Sequence, residues 1–251
     1  MNQSAFAGAR TPIGIAVLAM AAFLGWRCAT MGIADFLASS DPASAIGWRA
    51  AHPEAQYEQA QADFLAHRND AAMLHARLAI ASAPLDGRAY RVAAAVVEAA
   101  GDRGRARALF EVAERRAPRD LPARIKLAGY ALKAGERERA IHEVDMLLRM
   151  QPELYPDLLP RLVRLTEDPD AVEPVVRALS RRPAWRWAFL PMLSGSAGNL
   201  ETANAVFSRL AGAGALTPNE IAEQQALRLR MGDRGQAGAV PGVGDQAIDQ
   251  A

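Results

Sequence analysis

Cysteine is nearly missing from this chain. Cys28 stands alone among 251 residues, so no internal disulfide can form, and four histidines (His52, His67, His75 and His142) offer no Cys/His set at zinc-binding spacing. Lysine is almost absent too: of 29 basic residues only Lys126 and Lys133 are lysines, leaving 27 arginines against 28 acidic residues. The arginine bias reads as the mark of a GC-rich coding genome, and a net charge of +1 gives no global electrostatic reason to seek nucleic acid. Aromatic residues make up 6% of a chain that is 51% hydrophobic; the surplus is largely alanine, which favours helices but fills little volume. A large mixed α/β enzyme core is therefore not expected. Also missing are a nucleophile elbow, a phosphate loop, a paired-histidine motif and a dinucleotide fingerprint, so no catalytic, cofactor-binding or metal-binding residue is assigned. Glu143 and Asp145 beside His142 read as an exposed polar helix face, and His67 and His75 lack a third ligand.

What is present begins with an apolar segment. After a short tail (residues 1–10), Ile13 to Trp26 runs without a charge, Arg27 interrupts, and Cys28 to Ala34 resumes an apolar run. A span needs roughly 20 apolar residues, which a helix over 11–35 supplies if Arg27 snorkels toward the headgroups beside Trp26. A cleaved secretory signal is the alternative, although Trp26 and Arg27 fit a small-x-small cleavage site poorly; a buried soluble helix is a third reading. Arg10 and the amino group on the short side weakly favour an N-terminus in the cytoplasm, with the body outside the inner membrane. Residues 36–52 follow as a linker holding a short helix, in which Asp41 suits an N-cap and Pro42 a first helical position, and Pro53 restarts the chain as a helix.

The strongest signal is a repeat. Pro84, Pro118 and Pro152 stand 34 residues apart; Ala72, Ala106 and Ala140 precede them by twelve, Ala76, Phe110 and Val144 by eight, and Ala79, Ala113 and Leu147 by five. Gly101 and Gly135 form a further column, in which His67 takes the place where glycine would end a helix in a left-handed conformation. The spacing predicts helix pairs over 53–235, about five pairs plus a terminal helix: an apolar face of period 3.6, a polar glycine turn, a second apolar face, then proline. Each pair is too small to bury its own core, so an all-α stacked array is expected. The fourth pair is degenerate, with Leu158, Leu162 and Leu165 on one face and Val172, Val175, Val176 and Leu179 on the other. The fifth places Trp187, Ala203, Phe207 and Leu210 in register. A helix over Ile221 to Met231 is expected to stop at Gly232-Asp233, with a disordered tail over 236–251.

The pattern resembles the tetratricopeptide repeat family, whose unit is also 34 residues long. Ala60, Ala94 and Ala128 match its small eighth position, Ala72, Ala106 and Ala140 its twentieth, Phe110 its aromatic twenty-fourth and the three prolines its thirty-second. The chain departs at the fourth position, often Trp in the family, where it has Gln56, Tyr90 and Arg124. The resemblance implies an α-solenoid that binds protein partners on a concave face. Carried over, that face holds Glu54, Tyr57, Gln61, Phe64 and Leu65, then Arg88, Arg91, Ala95, Glu98 and Ala99, then Pro122, Ile125, Gly129, Leu132 and Lys133. Arg88 and Arg91 share one helical side and suit a partner's carboxylate. Neither belongs to an apolar column, so reversing both charges is expected to leave helical content intact. A second candidate patch is Arg181, Arg182, Trp185 and Arg186, suited to a glycan, anionic headgroups or a protein, with Trp187 alternatively a core residue. Less specifically, the segment near the start, the entry from Trp48-Arg49 to His52-Pro53 and the small Arg/Ala-rich array resemble anchored repeat proteins of bacterial exopolysaccharide and secretion machinery. The expectation is a non-enzymatic scaffold of the bacterial envelope, with a soluble exported peptide-binding module or a glycan-binding accessory subunit as alternatives.

Overall fold

The computed structural model describes residues 10–196 and 200–238. Among them are thirteen α-helices and no strand. The chain divides into two compact units, one up to Arg124 and one from Ile125.

The first unit opens with α1 (Arg10–Leu37), 28 residues long, hence about 42 Å at 1.5 Å per residue. Its stretch Gly14–Leu37 is long and apolar enough to cross a membrane. The helix is exposed along most of its length; Ala34 near its end is buried, and Ala38 just after it packs with Ala45 of α2 (Pro42–Trp48) and Ala55 of α3 (Pro53–Leu65). Asp41 caps α2 by accepting the Ser44 N–H at 3.1 Å, and the Ser44 hydroxyl, with that N–H, holds its carboxyl below the usual range.

Two hairpins follow, α3 with α4 (Asn69–Ser82) and α5 (Gly87–Ala99) with α6 (Arg103–Arg116), and α4 packs on α5. The expected small columns form the contacts: Ala60, Ala72, Ala94 and Ala106 are all fully buried. Gly87 is required by packing, since a Cβ there would lie 2.5 Å from the Ala113 carbonyl oxygen. The helix ends obey the same 34-residue register. His67 (φ 59°), Gly101 (φ 91°) and Gly135 (φ 74°) are all left-handed, and Arg68, Asp102 and Glu136 each donate an N–H back five residues, to Asp63, Val97 and Ala131. The expectation for His67 therefore holds.

The fourth-position column has a common structural task despite its three different residues. Gln56 Nε2 donates to the Ala50 carbonyl at 2.5 Å, Tyr90 Oη to that of Pro84 at 3.4 Å, and Arg124 Nε to that of Pro118 at 2.8 Å. Each satisfies a carbonyl six residues upstream, just before its own helix begins. Arg116 stacks over the Tyr90 ring at 4.3 Å and donates to both Tyr90 Oη and the Pro84 carbonyl.

The second unit takes in most of α7 (Leu121–Lys133), then α8 (Arg137–Met150), a 3-10 turn (Pro152–Leu154), α9 (Tyr155–Leu165), α10 (Pro169–Ser180), α11 (Arg186–Gly195), α12 (Leu200–Gly212) and α13 (Pro218–Gly238). Its core is larger-grained: Leu148, Leu159, Leu179, Trp185, Phe189, Phe207 and Leu210 are buried together. Trp185 meets Phe189 edge to face at 5.6 Å and donates its indole N–H to Asp145 Oδ1 at 2.8 Å. Glu143 and Asp145 are thus buried, not an exposed polar face; α10 and the Trp185 turn cover the Asp145 side of α8. The stop expected at Gly232 is also absent: α13 runs through Gly232-Asp233 to Gly238, since an isolated glycine costs a helix only about 1 kcal/mol. The expected tail at 236–251 is helical to Gly238 and beyond that lies outside the described residues, as does most of the expected N-terminal tail.

Candidate partner-binding surface

In the first unit the structure brings together five of the residues expected on a concave face, Glu54, Tyr57, Gln61, Arg88 and Arg91. Arg88 and Arg91 sit one turn apart on α5 and reach back to α3. Arg88 forms a fork with Glu54 (2.9 and 2.6 Å), a further ion pair with Asp86 (2.7 Å), and lies 4.6 Å over the Tyr57 ring. Arg91 donates to Asp120 (3.0 Å), Tyr57 Oη (2.8 Å) and Gln61 Oε1 (3.1 Å), and Tyr57 Oη donates to Gln61 at 2.8 Å. Hydrogen bonds donated to Glu54 and Asp86 hold the Arg88 guanidinium far on the charged side. Burial pushes the Asp86 carboxyl up, but bonds from Arg88 outweigh it and keep the group below its usual range. Burial, reinforced by Glu54, raises Glu58.

These arginines are therefore neither a solvated face nor a vacant carboxylate clamp. Glu54 to Arg88 and Tyr57 to Arg91 each span 34 residues, so equivalent positions of successive hairpins bond to one another. Phe64 packs half-buried beneath this network, Glu98 is half-buried further along α5, and Lys133 is exposed and belongs to the second unit. Sequence reasoning placed the residues on one side of their helices but could not see that their carboxylate partners come from the same chain.

The Arg181–Trp187 cluster is split by the start of α11. Trp185 is fully buried, and so is Arg186, which donates to Glu220 (2.7 and 2.8 Å) and to the carbonyls of Leu179 (2.6 Å) and Ala215 (2.9 Å). Burial pushes Glu220 up, and the bonds from Arg186 and the Thr217 N–H outweigh it and keep the carboxyl low. Neither Trp185 nor Arg186 can form part of a surface patch. Trp187, taken above as the core alternative, is instead 74% exposed, and Arg181 and Arg182 are exposed beside it.

The open apolar surface lies elsewhere. In the second unit Ile125, Gly129 and Leu132 of α7 face Leu158, Leu162 and Leu165 of α9 across a groove of about 530 Å³ that also touches Val144 and Leu147 of α8. Nothing lies within 4 Å of where a Gly129 Cβ would be. Arg161 and Arg164 border the groove, exposed, and their side chains form no ion pair or hydrogen bond among the described residues. The α7 wall falls on positions carried over from the repeat resemblance; the two arginines of α9 were missed, because the shortened fourth repeat broke the register that would have found them.

Among the described residues no group of three His, Cys, Asp or Glu side chains could hold a metal ion. No protein-family model matches the chain, and no curated protein matches it.

Proposed function

We propose that this chain is a non-enzymatic scaffold, held in a bacterial inner membrane by α1, whose helix hairpins form a tetratricopeptide-type solenoid that binds protein partners. The observation that carries this reading is the α7/α9 groove: an apolar floor, a glycine that opens it and unpaired cations at its border make a surface with no partner in its own unit. Membrane retention of α1 is supported by its last turns, where Ala34 is buried and Asp35 bonds to His52 of the folded body. The resemblance to anchored repeat proteins points to an envelope complex for polysaccharide synthesis, export or secretion, with the N-terminus cytoplasmic and the solenoid periplasmic.

The test places a photo-crosslinking amino acid at Ile125 or Leu132 in the full-length protein in its own membrane. A discrete protein adduct is expected from both positions, lost when the other is changed to Asp, and none from exposed Arg105. Absence of adducts in the groove would remove the reading. Carbonate washing separates the alternatives: a pelleted chain that keeps its N-terminus supports the anchored scaffold, and a soluble chain beginning beyond residue 28 supports an exported module.

A further inference from the structure

A second opening in the same unit has a different chemistry. Where α11 begins, Arg182, Pro183, Trp187, Leu190 and Pro191 meet Asn219 and Glu223 of α13 around a pocket of about 430 Å³. Its floor is rigid, because the buried Arg186–Glu220 pair there is saturated: both Glu220 oxygens are taken by Arg186, and one also by the Thr217 N–H at 2.7 Å. Its rim is not saturated. Arg182 and Asn219 have no side-chain partner among the described residues, and Glu223 uses one oxygen, Oε1, to accept from Ser194 Oγ at 2.5 Å. The buried and half-buried carboxylates Asp145, Asp168 and Glu220 of the same unit are each paired with an arginine.

We propose that this pocket binds one pyranose ring of an acidic polysaccharide, stacked on Trp187. A pyranose has an apolar C–H face and a polar hydroxyl edge. The exposed indole meets the first, and the Glu223 carboxylate and Asn219 amide meet the second. The free Arg182 guanidinium adds a bidentate partner for a uronate carboxylate. An apolar peptide side chain in the same place would desolvate Glu223 and Arg182 without pairing them, which is costly. A lipid phosphate could pair with Arg182 but offers the exposed indole no apolar C–H face. This inference does not depend on the α7/α9 groove and can fail or stand without it.

The experiment uses the full-length protein in lipid nanodiscs, titrated calorimetrically with mannuronate hexamer, cellohexaose and decaproline. Saturable binding of the mannuronate hexamer is expected, weaker for cellohexaose. Trp187→Ala should weaken both sugars at least tenfold, and Trp187→Tyr should recover most of the loss. The melting temperature should stay unchanged in both variants, because the side chain is exposed. Arg182→Gly suits the left-handed backbone there (φ 50°) and should abolish the preference for the charged sugar while leaving cellohexaose binding in place. No saturable sugar binding, sugar binding indifferent to Trp187→Ala, or binding of decaproline alone would each overturn the proposal.

Discussion

His52 Nε2 lies 2.6 Å from Asp35 Oδ1, and Nδ1 of the same ring accepts the Ala55 N–H at 3.2 Å. The second bond assigns the proton to Nε2, so the ring donates to Asp35 near the end of α1 while capping α3. One buried side chain thus ties the long apolar helix to the first hairpin. His52, Asp86 and Asp120 stand 34 residues apart and cap α3, α5 and α7 in turn, so the link is a variation on a repeated cap.

His52→Ala removes both bonds and should lower the stability of the first unit by roughly 1–2 kcal/mol. His52→Asn, which keeps a capping acceptor, should recover part of it. Thermal melts of the full-length protein followed by circular dichroism read the difference; equal midpoints for the wild type and the alanine variant would show that the ring carries no load.

Ala106 is fully buried between α5 and α6, and its neighbour Arg105 is exposed. Ala106→Leu should overpack the crossing at a cost of roughly 1–3 kcal/mol, whereas Arg105→Leu should be nearly silent. Gly87→Ala should behave like Ala106→Leu, since its Cβ would meet the Ala113 carbonyl. The measurement is the unfolding midpoint in urea.

Arg91→Ala leaves the buried Asp120 carboxylate and the Tyr57 hydroxyl short of a donor and should cost roughly 1–3 kcal/mol. Arg88 is more exposed and its loss should cost less, under about 1 kcal/mol. Reversing both charges places two glutamates against Glu54, Asp86 and Asp120, so reduced thermal stability is expected, in place of the unchanged fold that the sequence alone suggested. A double variant with the wild-type midpoint would show the network to be incidental.

The pH dependence follows from carboxylates held low in the fold. Unfolded Glu220 and Asp86 protonate near their ordinary values, while the folded groups stay ionised to lower pH. Their stabilisation is therefore complete above about pH 5 and is lost as pH falls through the folded values. Glu58, raised in the fold, acts in the opposite sense and gains stability as pH falls, partly offsetting Asp86 in the first unit. Glu220→Gln should flatten the acid limb of the second unit and, by leaving Arg186 buried without its counter-charge, cost roughly 3 kcal/mol at pH 7. Denaturant melts between pH 7 and pH 3.5 test both the slope and its sign.

The hairpins were legible in the sequence because their signals are local. Pro84, Pro118 and Pro152 each stand just past a helix end, an alanine permits a close crossing, and a residue at the turn position goes left-handed because the chain must reverse there, even when that residue is His67. The tasks of individual polar residues were not legible, because they depend on which helix arrives opposite. Nothing in the four letters before Gln56, Tyr90 and Arg124 says that all three will satisfy a carbonyl six residues back. Nor does the spacing of Arg88 and Arg91 reveal that Glu54, Asp86 and Asp120 will take their charge.

The sequence by itself determined the helical class, the 34-residue period, the caps and the apolar segment near the start, since each rests on backbone geometry and on contacts within a few residues. Only the tertiary structure decided that Trp185 turns inward to Asp145 while Trp187 faces solvent, and that α7 and α9 leave an apolar groove between them. Two tryptophans at i and i+2 point to different sides of a helix start, and which side is covered is set by α8, α12 and α13, elements distant in sequence whose arrival no local pattern encodes.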